Sequence, residues 1–193
     1  HDIVIAALEA GKNVMSEKPV TMSSESLDDM IKASERTGKF FTVHQNRRYD
    51  PDYLTVKRLY DENTLGKIFR IESRVSGSRG IPGDWRQKKA QGGGMILDWG
   101  IHILDQALMM FDDKVLDSVY CQVTHITNDE VDDGFIATLN YKDDSVYVIS
   151  VGTNNFIDYP RWHVQGINGS AICEWDLSGK VVMVSDWENK DAV

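Results

Sequence analysis

The sequence contains little cysteine and no long hydrophobic run. Only two of its 193 residues are cysteines, and both Cys121 and Cys173 lie in strand-like apolar stretches, where we expect buried thiols. So few thiols, together with the lack of a signal-peptide pattern, favour a reducing, cytoplasmic compartment. Charged residues interrupt every apolar stretch before the ~18 residues that a transmembrane helix needs. The sequence therefore predicts no integral membrane protein.

An excess of basic residues is missing as well. The chain has 30 acidic and 21 basic residues, which gives a formal net charge of −9, and it has no basic stripe. A chain of this charge repels phosphate backbones, so we do not expect a nucleic-acid partner. Hydrophobic residues make up 41% of the chain, enough for a packed core, and the length allows one domain plus part of another.

Several catalytic signatures are absent. The sequence has no Gly-x-Gly-x-x-Gly, no phosphate-binding Gly-x-x-x-x-Gly-Lys-Ser/Thr loop and no Gly-x-Ser-x-Gly elbow. A metal site could use Asp98 and His102 with one of His44, His125 or His163, but no His-x-x-x-His or Cys-x-x-Cys spacing supports it. We therefore predict no bound metal and keep a metal-dependent hydrolase only as an alternative.

The first part of the chain alternates helices with strands. We predict helices over Ile3–Ala10, Ser23–Thr37 and Pro51–Asn63, and strands over Lys12–Ser16 and Lys39–Asn46. Strands that alternate with helices favour a parallel sheet with right-handed crossovers. Residues 1–63 are therefore expected to form the C-terminal part of a doubly wound α/β domain.

The pattern changes at residue 64, where strands follow one another. We predict strands over Ile68–Val75, Ser118–Thr127, Phe135–Tyr141, Ser145–Gly152, Trp162–Ile167, Ala171–Asp176 and Lys180–Ser185. Polar turns between the later strands indicate a mainly antiparallel, open sheet. One long helix from Gly94 to Phe111 interrupts them, with an apolar face made of Ile96, Leu97, Ile101, Leu104, Leu108 and Met109. Residues 64–193 thus read as a second, α+β domain for substrate binding or oligomerisation.

The long helix carries a candidate proton relay. Asp98 and His102 are four residues apart and project from one face, and Asp105 continues that face. A carboxylate beside an imidazole orients the ring and increases its basicity, which suits proton transfer near neutral pH. The same spacing is common in solvated or capping pairs. The preceding glycines, Gly92–Gly94, favour a ligand site because they let backbone approach a ligand closely.

Polar side chains also follow both predicted parallel strands. Glu17 and Lys18 end the first strand, and Asn46 and Arg47 end the second. In open α/β sheets ligands bind at these carboxyl ends, so Lys18 is a candidate to hold a substrate oxygen or a cofactor group. Trp85, which precedes the glycine run, is a further candidate to line the pocket.

Together these segments resemble the Gfo/Idh/MocA family of NAD(P)-dependent oxidoreductases. The resemblance extends over nearly the whole chain, in the order of its pieces: His1, Ala7–Val14, Glu17–Pro19, Asn46–Pro51, Leu65–Ile68 and Gly92–Asp105. It implies a Rossmann-type domain that holds NAD or NADP, followed by a C-terminal domain with an open antiparallel sheet that binds substrate and forms a homodimer or homotetramer.

The resemblance also implies the site residues. By this resemblance Lys18, Asp98 and His102 match the catalytic positions. From their places in the chain we further expect Glu17 and Asn46, with Lys18, at the cofactor. Arg47 and Trp85 are expected at the substrate, together with Lys18, Asp98 and His102. The implied reaction passes hydride between NAD(P) and a secondary alcohol of a sugar, polyol or related metabolite. Because the glycine fingerprint is missing, we expect a fragment of such an enzyme that is inactive by itself. The alternative from another class is a noncatalytic ligand-binding or oligomerisation module.

Overall fold

The computed structural model describes residues 1–184, and these divide into two compact units. The first unit is His1–Asn46, and the second begins at Arg47. The division assigns the third helix to the second unit. The domain boundary between residues 63 and 64 stays a prediction for the whole protein. Residues 185–193 lie outside the described part of the chain. The last residue of the predicted strand Lys180–Ser185 is therefore not described.

The first unit has the alternating order that the sequence predicts. It consists of α1 (Asp2–Glu9), β1 (Val14–Ser16), α2 (Ser24–Thr37) and β2 (Phe41–Val43). The two strands pair in parallel, with Val14 beside Phe41 and Ser16 beside Val43, so the prediction of a parallel sheet is confirmed. A small core of Val4, Leu8, Met30 and Ala33 joins the two helices.

Helix α2 begins and ends on the expected residues. The side chain of Ser23 accepts a hydrogen bond from the Ser26 amide at 3.2 Å, which satisfies one of the unpaired amides at the helix start. Gly38 ends the helix at φ 63°, a left-handed conformation that glycine adopts without a Cβ clash. The chain then turns directly into β2, whose carboxyl end leads to Asn46.

The second unit is a helix-covered sheet. Its elements are α3 (Pro51–Asp61), β3 (Ile68–Ser76), α4 (Ile101–Met110), β4 (Leu116–Thr124), β5 (Gly134–Tyr141), β6 (Val146–Gly152), β7 (Trp162–Gly166), β8 (Gly169–Cys173) and β9 (Gly179–Met183). The strands form one sheet in the order β4-β5-β6-β3-β7-β8-β9. Neighbouring strands are antiparallel except β3 and β6, which pair in parallel. The mainly antiparallel fold predicted from the strand succession is therefore confirmed.

The two faces of this sheet differ in burial. One face contributes Ile71, Tyr147, Ile149, Trp162 and Val164 to the core, together with Ile103 and Met110 of α4. Side chains on the other face are half-buried or exposed, as expected for an antiparallel sheet covered on one side. The expectation for the cysteines is half right. Cys173 is buried, but Cys121 is exposed because β4 is an edge strand whose nine residues are all exposed.

The helix predicted over residues 94–111 is divided into two segments, and the prediction of its apolar face is wrong. Residues Ile96–Gly100 form one π-helical turn, which passes into α4. Ile96 and Leu108 are exposed, although their spacing predicted burial. The buried side of α4 consists of His102, Ile103, Gln106, Ala107 and Met110, because the wider π turn rotates the following helix relative to an unbroken 3.6-residue pattern.

Candidate active site

A buried polar stripe follows the π turn and α4. Asp98 is 6% exposed, His102 5% and Gln106 fully buried, so three polar side chains at four-residue spacing face the interior. Asp105, which the sequence predicts on the same face, is half-buried, and the fully buried residue one turn after His102 is Gln106. π turns are frequent at functional sites, and buried polar groups next to one another are typical of catalytic centres.

Asp98 has a cationic partner that the sequence reasoning missed. The Nε of Arg86 donates to Oδ2 of Asp98 at 2.9 Å, and its second nitrogen donates to Asp84 Oδ2 at 2.7 Å. Burial lowers the pKa of Arg86, but the hydrogen bonds to Asp98 and Asp84 outweigh it and raise that pKa overall. Arg86 lies 12 residues before Asp98, and the only signal for it was its place beside Trp85.

The glycines Gly93 and Gly94 are needed for close packing of the chain, whereas the sequence predicted that they let the backbone approach a ligand. A Cβ on Gly93 would lie 2.4 Å from the carbonyl oxygen of Arg86, and one on Gly94 would lie 2.2 Å from Oδ1 of Asp132. Gly94 also has φ 102°, and its amide donates to the Arg86 carbonyl at 2.9 Å. The glycines therefore let the Arg86 loop pack against the start of the helix, so they serve the site through chain packing.

Asp132 holds the helix start from the other side. Its Oδ2 accepts from the Ile96 amide at 2.9 Å, and its carbonyl accepts from the Met95 amide at 3.1 Å. Burial raises the pKa of Asp132, and the backbone hydrogen bonds oppose that rise only in part. The orientation of Asp98 thus depends on two loops, one that carries Arg86 and one that carries Asp132.

Aromatic rings extend from His102 toward the turn after β8. Trp99 lies edge-on to His102 with a centroid separation of 6.3 Å, and edge-on to Trp175 at 6.0 Å. The guanidinium of Arg47 covers the Trp99 ring at 3.9 Å from its centroid. Arg47, predicted at the substrate, is therefore placed beside the helix that carries His102, through a cation–π contact.

The chain around Arg47 is bound tightly to α4. Arg48 donates from two nitrogens to the two carboxylate oxygens of Asp105 at 2.7 and 2.6 Å, and Gln106 donates to the Arg47 carbonyl at 2.7 Å. The hydrogen bond to Asp105 raises the pKa of Arg48. Such two-pronged pairs fix geometry as well as charge, so α4 determines where Arg47 lies.

In the first unit the predicted residues cluster at the carboxyl ends of β1 and β2. Glu17 is exposed and its Oε1 lies 3.0 Å from Nδ1 of His44, and this hydrogen bond lowers the pKa of Glu17. Lys18 follows, half-buried, and Asn46 begins a short 3-10 turn after β2. Sequence reasoning weighed His44 only as a metal ligand. Its contact with Glu17 follows from the parallel pairing of the two strands.

The structure thus forms two groups from the predicted residues. Asp98, His102 and Arg47 lie around one helix of the second unit, and Glu17, Lys18 and Asn46 lie at one sheet edge of the first. Trp85 is half-buried next to Arg86, whose guanidinium lies 4.6 Å from the Trp85 ring centroid. Within residues 1–184 no group of three or more His, Cys, Asp or Glu could hold a metal ion, and no helix is long and apolar enough to cross a membrane.

Two cavities open near the end of the sheet in the second unit. One of about 480 Å³ lies on its less buried face and includes Arg74, Gln122, Ser150 and Tyr159. Another of about 320 Å³ includes Trp175, Glu174 and Asp176. Only the second one shares a residue, Trp175, with the aromatic rings that lead to His102.

Family models match both parts of the chain. The GFO/IDH/MocA C-terminal domain matches residues 53–172, and an oxidoreductase family with an NAD-binding Rossmann fold matches residues 1–45. The chain belongs to the Gfo/Idh/MocA family. The resemblance seen in the sequence is thereby confirmed, and so is the fold class of a Rossmann-type part followed by a domain with an open sheet.

Among the Gfo/Idh/MocA relatives are enzymes of sugars and polyols. The NADP-dependent scyllo-inositol 2-dehydrogenase of Bacillus subtilis is 31% identical over 89% of this chain and 48% of its own length. D-glucoside 3-dehydrogenase of Escherichia coli is 32% identical over 62% of this chain and 34% of its own length. A crystal structure of an NAD-binding protein from Listeria innocua has 49% identity and a TM-score of 0.92, over 95% of this chain and 53% of that one. The chain spans between 30% and 48% of the length of the first three curated relatives.

Proposed function

We propose that the whole protein transfers hydride between NAD or NADP and a secondary alcohol or ketone of a sugar, polyol or related metabolite. The single observation that carries this proposal is the burial of Asp98 in the π turn and of His102 in α4, within a Gfo/Idh/MocA C-terminal domain, with Arg86 bound to Asp98. The named relatives act on inositol and on a glucoside, which supports the substrate class.

His102 acts as the proton acceptor in the oxidation. When the carbon loses hydride, the hydroxyl must lose its proton, and a base within hydrogen-bond reach of that oxygen receives it. Asp98 orients the imidazole and stabilises the cation that forms, or binds a neighbouring hydroxyl. Arg86 donates a hydrogen bond to Asp98, so the buried carboxylate has a cationic partner.

Lys18 holds the reacting oxygen and stabilises the negative charge that develops on it. Glu17, Lys18 and Asn46 would hold the nicotinamide end of the cofactor, because amide, ammonium and carboxylate groups at the ends of neighbouring parallel strands fit its carboxamide and ribose hydroxyls. The bound cofactor supplies the hydride acceptor. Arg47 and Trp85 are proposed at the substrate, and a cytoplasmic location stays a prediction.

Absorbance of reduced nicotinamide tests the proposal. The full-length protein is incubated with NAD+ or NADP+ and a panel of cyclitols, aldoses and glycosides, and Lys18→Met is compared with Lys12→Met, an exposed lysine next to β1. We expect turnover of at least one polyol, a loss of ~10²-fold or more with Lys18→Met, and no change with Lys12→Met. No turnover with any alcohol would favour a noncatalytic ligand-binding module.

We also propose that the less buried face of the large sheet pairs with a second copy of the chain, in a homodimer or homotetramer. This face carries exposed or half-buried apolar residues, among them Tyr120, Ile136, Val146 and Val148, next to charged Arg70. A closed symmetric interface would remove them from water. Light scattering at tens of micromolar protein tests this, and a strict monomer would contradict it.

A further inference from the structure

A buried charge pair joins helix α3 to the residue directly before β7. Arg161 and its partner Asp52, in the first turn of α3, are each 2% exposed. The Nε of Arg161 lies 3.3 Å from Oδ2 of Asp52, which also accepts the indole N–H of Trp162 at 2.7 Å. A buried pair of this kind adds little to stability compared with apolar side chains of similar size. The pair is therefore better explained by the geometry that it fixes.

The guanidinium of Arg161 fixes the orientation of a buried amide on α4. One of its nitrogens donates to Oε1 of Gln106 at 3.3 Å, and Gln106 is fully buried. A guanidinium has only donors, so the amide of Gln106 must turn its oxygen toward Arg161 and its nitrogen away. That nitrogen donates to the carbonyl oxygen of Arg47 at 2.7 Å. Arg161 thus determines which group of Gln106 holds the backbone of Arg47.

Arg161 is also connected to the side chain of Arg47, through two tryptophan rings. Its guanidinium lies 4.7 Å from the ring centroid of Trp175, in the turn between β8 and β9, where the sequence predicts a strand to Asp176. The Trp175 ring is edge-on to that of Trp99 at 6.0 Å, and the guanidinium of Arg47 covers Trp99 at 3.9 Å. Two routes therefore lead from one buried cation to Arg47, one to its carbonyl and one to its guanidinium.

We propose that Arg161 is a positioning residue for substrate binding, acting through Gln106 and Trp175. Both contacts hold Arg47, which the proposed function places at the substrate, and the inference rests on that function. The side chain of Arg47 is 28% exposed, and one of its nitrogens donates to Asp50 at 2.9 Å. A guanidinium held on its face and at one nitrogen keeps its other donors in a fixed direction, so less entropy is lost when a substrate oxygen binds them. Substrate affinity then depends on Arg161, although Arg161 itself is buried.

Steady-state kinetics of the full-length protein test this role. KM and kcat for an oxidised polyol are measured in wild type, Arg161→Lys, Gln106→Met and the control Ser73→Ala. Arg161→Lys keeps a cation beside Asp52 but loses the planar fork that bonds several partners at once. Gln106→Met keeps a side chain of similar length and removes the donor to Arg47. Ser73→Ala removes another fully buried partner of Arg161, on β3, that belongs to neither route.

We expect Arg161→Lys and Gln106→Met to raise KM for the polyol about 10-fold, the effect of one hydrogen bond to a charged group, while kcat and its pH profile change less than about twofold. Ser73→Ala should leave KM unchanged even where it lowers the free energy of unfolding. In an Arg47→Met background, Arg161→Lys should raise KM less than about twofold further, because both changes act through the same side chain. An unchanged KM in Arg161→Lys, or an equal rise in Ser73→Ala, would overturn the role.

The place of Arg47 is also measured without the reaction. Protons above the face of an aromatic ring are shielded, so the Nε–H resonance of Arg47, whose guanidinium covers Trp99, should lie upfield of an ordinary arginine, and Arg47→Met identifies it. We expect this resonance to move downfield in Arg161→Lys and Gln106→Met and to stay in place in Ser73→Ala. If it does so and no alcohol is oxidised, the positioning of Arg47 stands and only the proposed function fails. A resonance at the same place in every variant overturns the role of Arg161, whether or not the protein is active.

Discussion

At the scale of single residues, the site depends on charges held in place by neighbours. Asp98 is buried and receives a hydrogen bond from Arg86, which is in turn held by Asp84. His102 follows one turn later on the same buried side. We therefore expect two kinds of kinetic result. One follows the removal of a group that touches the reacting atoms, and the other follows the removal of a group that only positions another side chain.

His102→Asn in the full-length protein should retain the fold and roughly the substrate affinity while turnover falls by ~10²–10⁴, the usual share of a positioned acid–base group. Oxidation needs the neutral imidazole, so the wild-type rate should rise with pH through the titration of His102. Steady-state kinetics across pH, with circular dichroism as the folding control, measure both. A variant with the wild-type rate and profile would make Asp98 and His102 a structural pair.

Arg86→Gln should lower kcat more than it raises KM, because it removes the cation that holds Asp98 while leaving the substrate contacts in place. We expect a loss of ~10-fold or more in kcat and an altered pH profile. Arg86→Lys keeps the charge but loses the two-pronged geometry, so it should recover only part of the rate. Identical kcat in wild type and Arg86→Gln would show that Asp98 needs no partner.

His163 lies on the less buried face of the large sheet, and its pKa gives a prediction for the pH dependence of stability. Burial, followed by the nearby charges of Arg74 and Arg70, lowers the pKa of His163 from its ordinary value of 6.5, although Glu72 is its neighbour across the strand pair. The unfolded chain therefore binds this proton more readily than the folded one, and stability should fall as pH drops below about 6.5.

Urea unfolding between pH 5 and 8, in wild type and in His163→Gln, checks this contribution. In His163→Gln, the free energy of unfolding should depend less steeply on pH between pH 5 and 8 than in wild type. An NMR titration midpoint for His163 at or above 6.5 would contradict the predicted direction.

At the scale of elements, the start of α4 is held by close packing. The π turn, the glycine run and the Asp132 loop meet at distances that leave no space for a side chain at Gly94. The amphipathic pattern in the sequence predicted an unbroken helix there, and the structure has a π turn where the two loops pack against it. This arrangement places Arg86 against Asp98.

Gly94→Ala should destabilise the fold by ~2–4 kcal/mol, because its Cβ would lie 2.2 Å from Asp132 Oδ1 at a φ of 102°. Gly77→Ala is the matched control, since a Cβ there meets nothing within 4 Å, and we expect a change below ~1 kcal/mol. Urea denaturation of both variants measures the difference. Equal stability of the two would mean that the loops shift apart at little cost.

At the scale of the whole molecule, two units share one chain and carry different parts of the proposed chemistry. The first presents Glu17, Lys18 and Asn46 at the ends of parallel strands, and the second carries Asp98 and His102. The sequence contains no Gly-x-Gly-x-x-Gly to receive a pyrophosphate at a helix N-terminus.

The 193-residue chain should therefore bind NADH and NADPH more weakly than micromolar and show negligible turnover. Calorimetric titration of the chain with each cofactor measures this, and the full-length protein serves as the positive control. A micromolar or tighter affinity of the chain would place the main cofactor contacts in residues other than the fingerprint.

The sequence by itself determined the element order, the parallel and antiparallel parts and the family, and it predicted Lys18, Asp98 and His102 as the catalytic residues. These features follow from local periodicity, capping residues and short motifs, each of which involves residues close together in the sequence. Only the tertiary structure decided the π turn, the buried side of α4, the exposure of Cys121 and the partners Arg86, Gln106 and Trp175. These depend on contacts between residues far apart in the chain, such as Arg161 with Gln106, and no local pattern records which distant side chain will fill a given space.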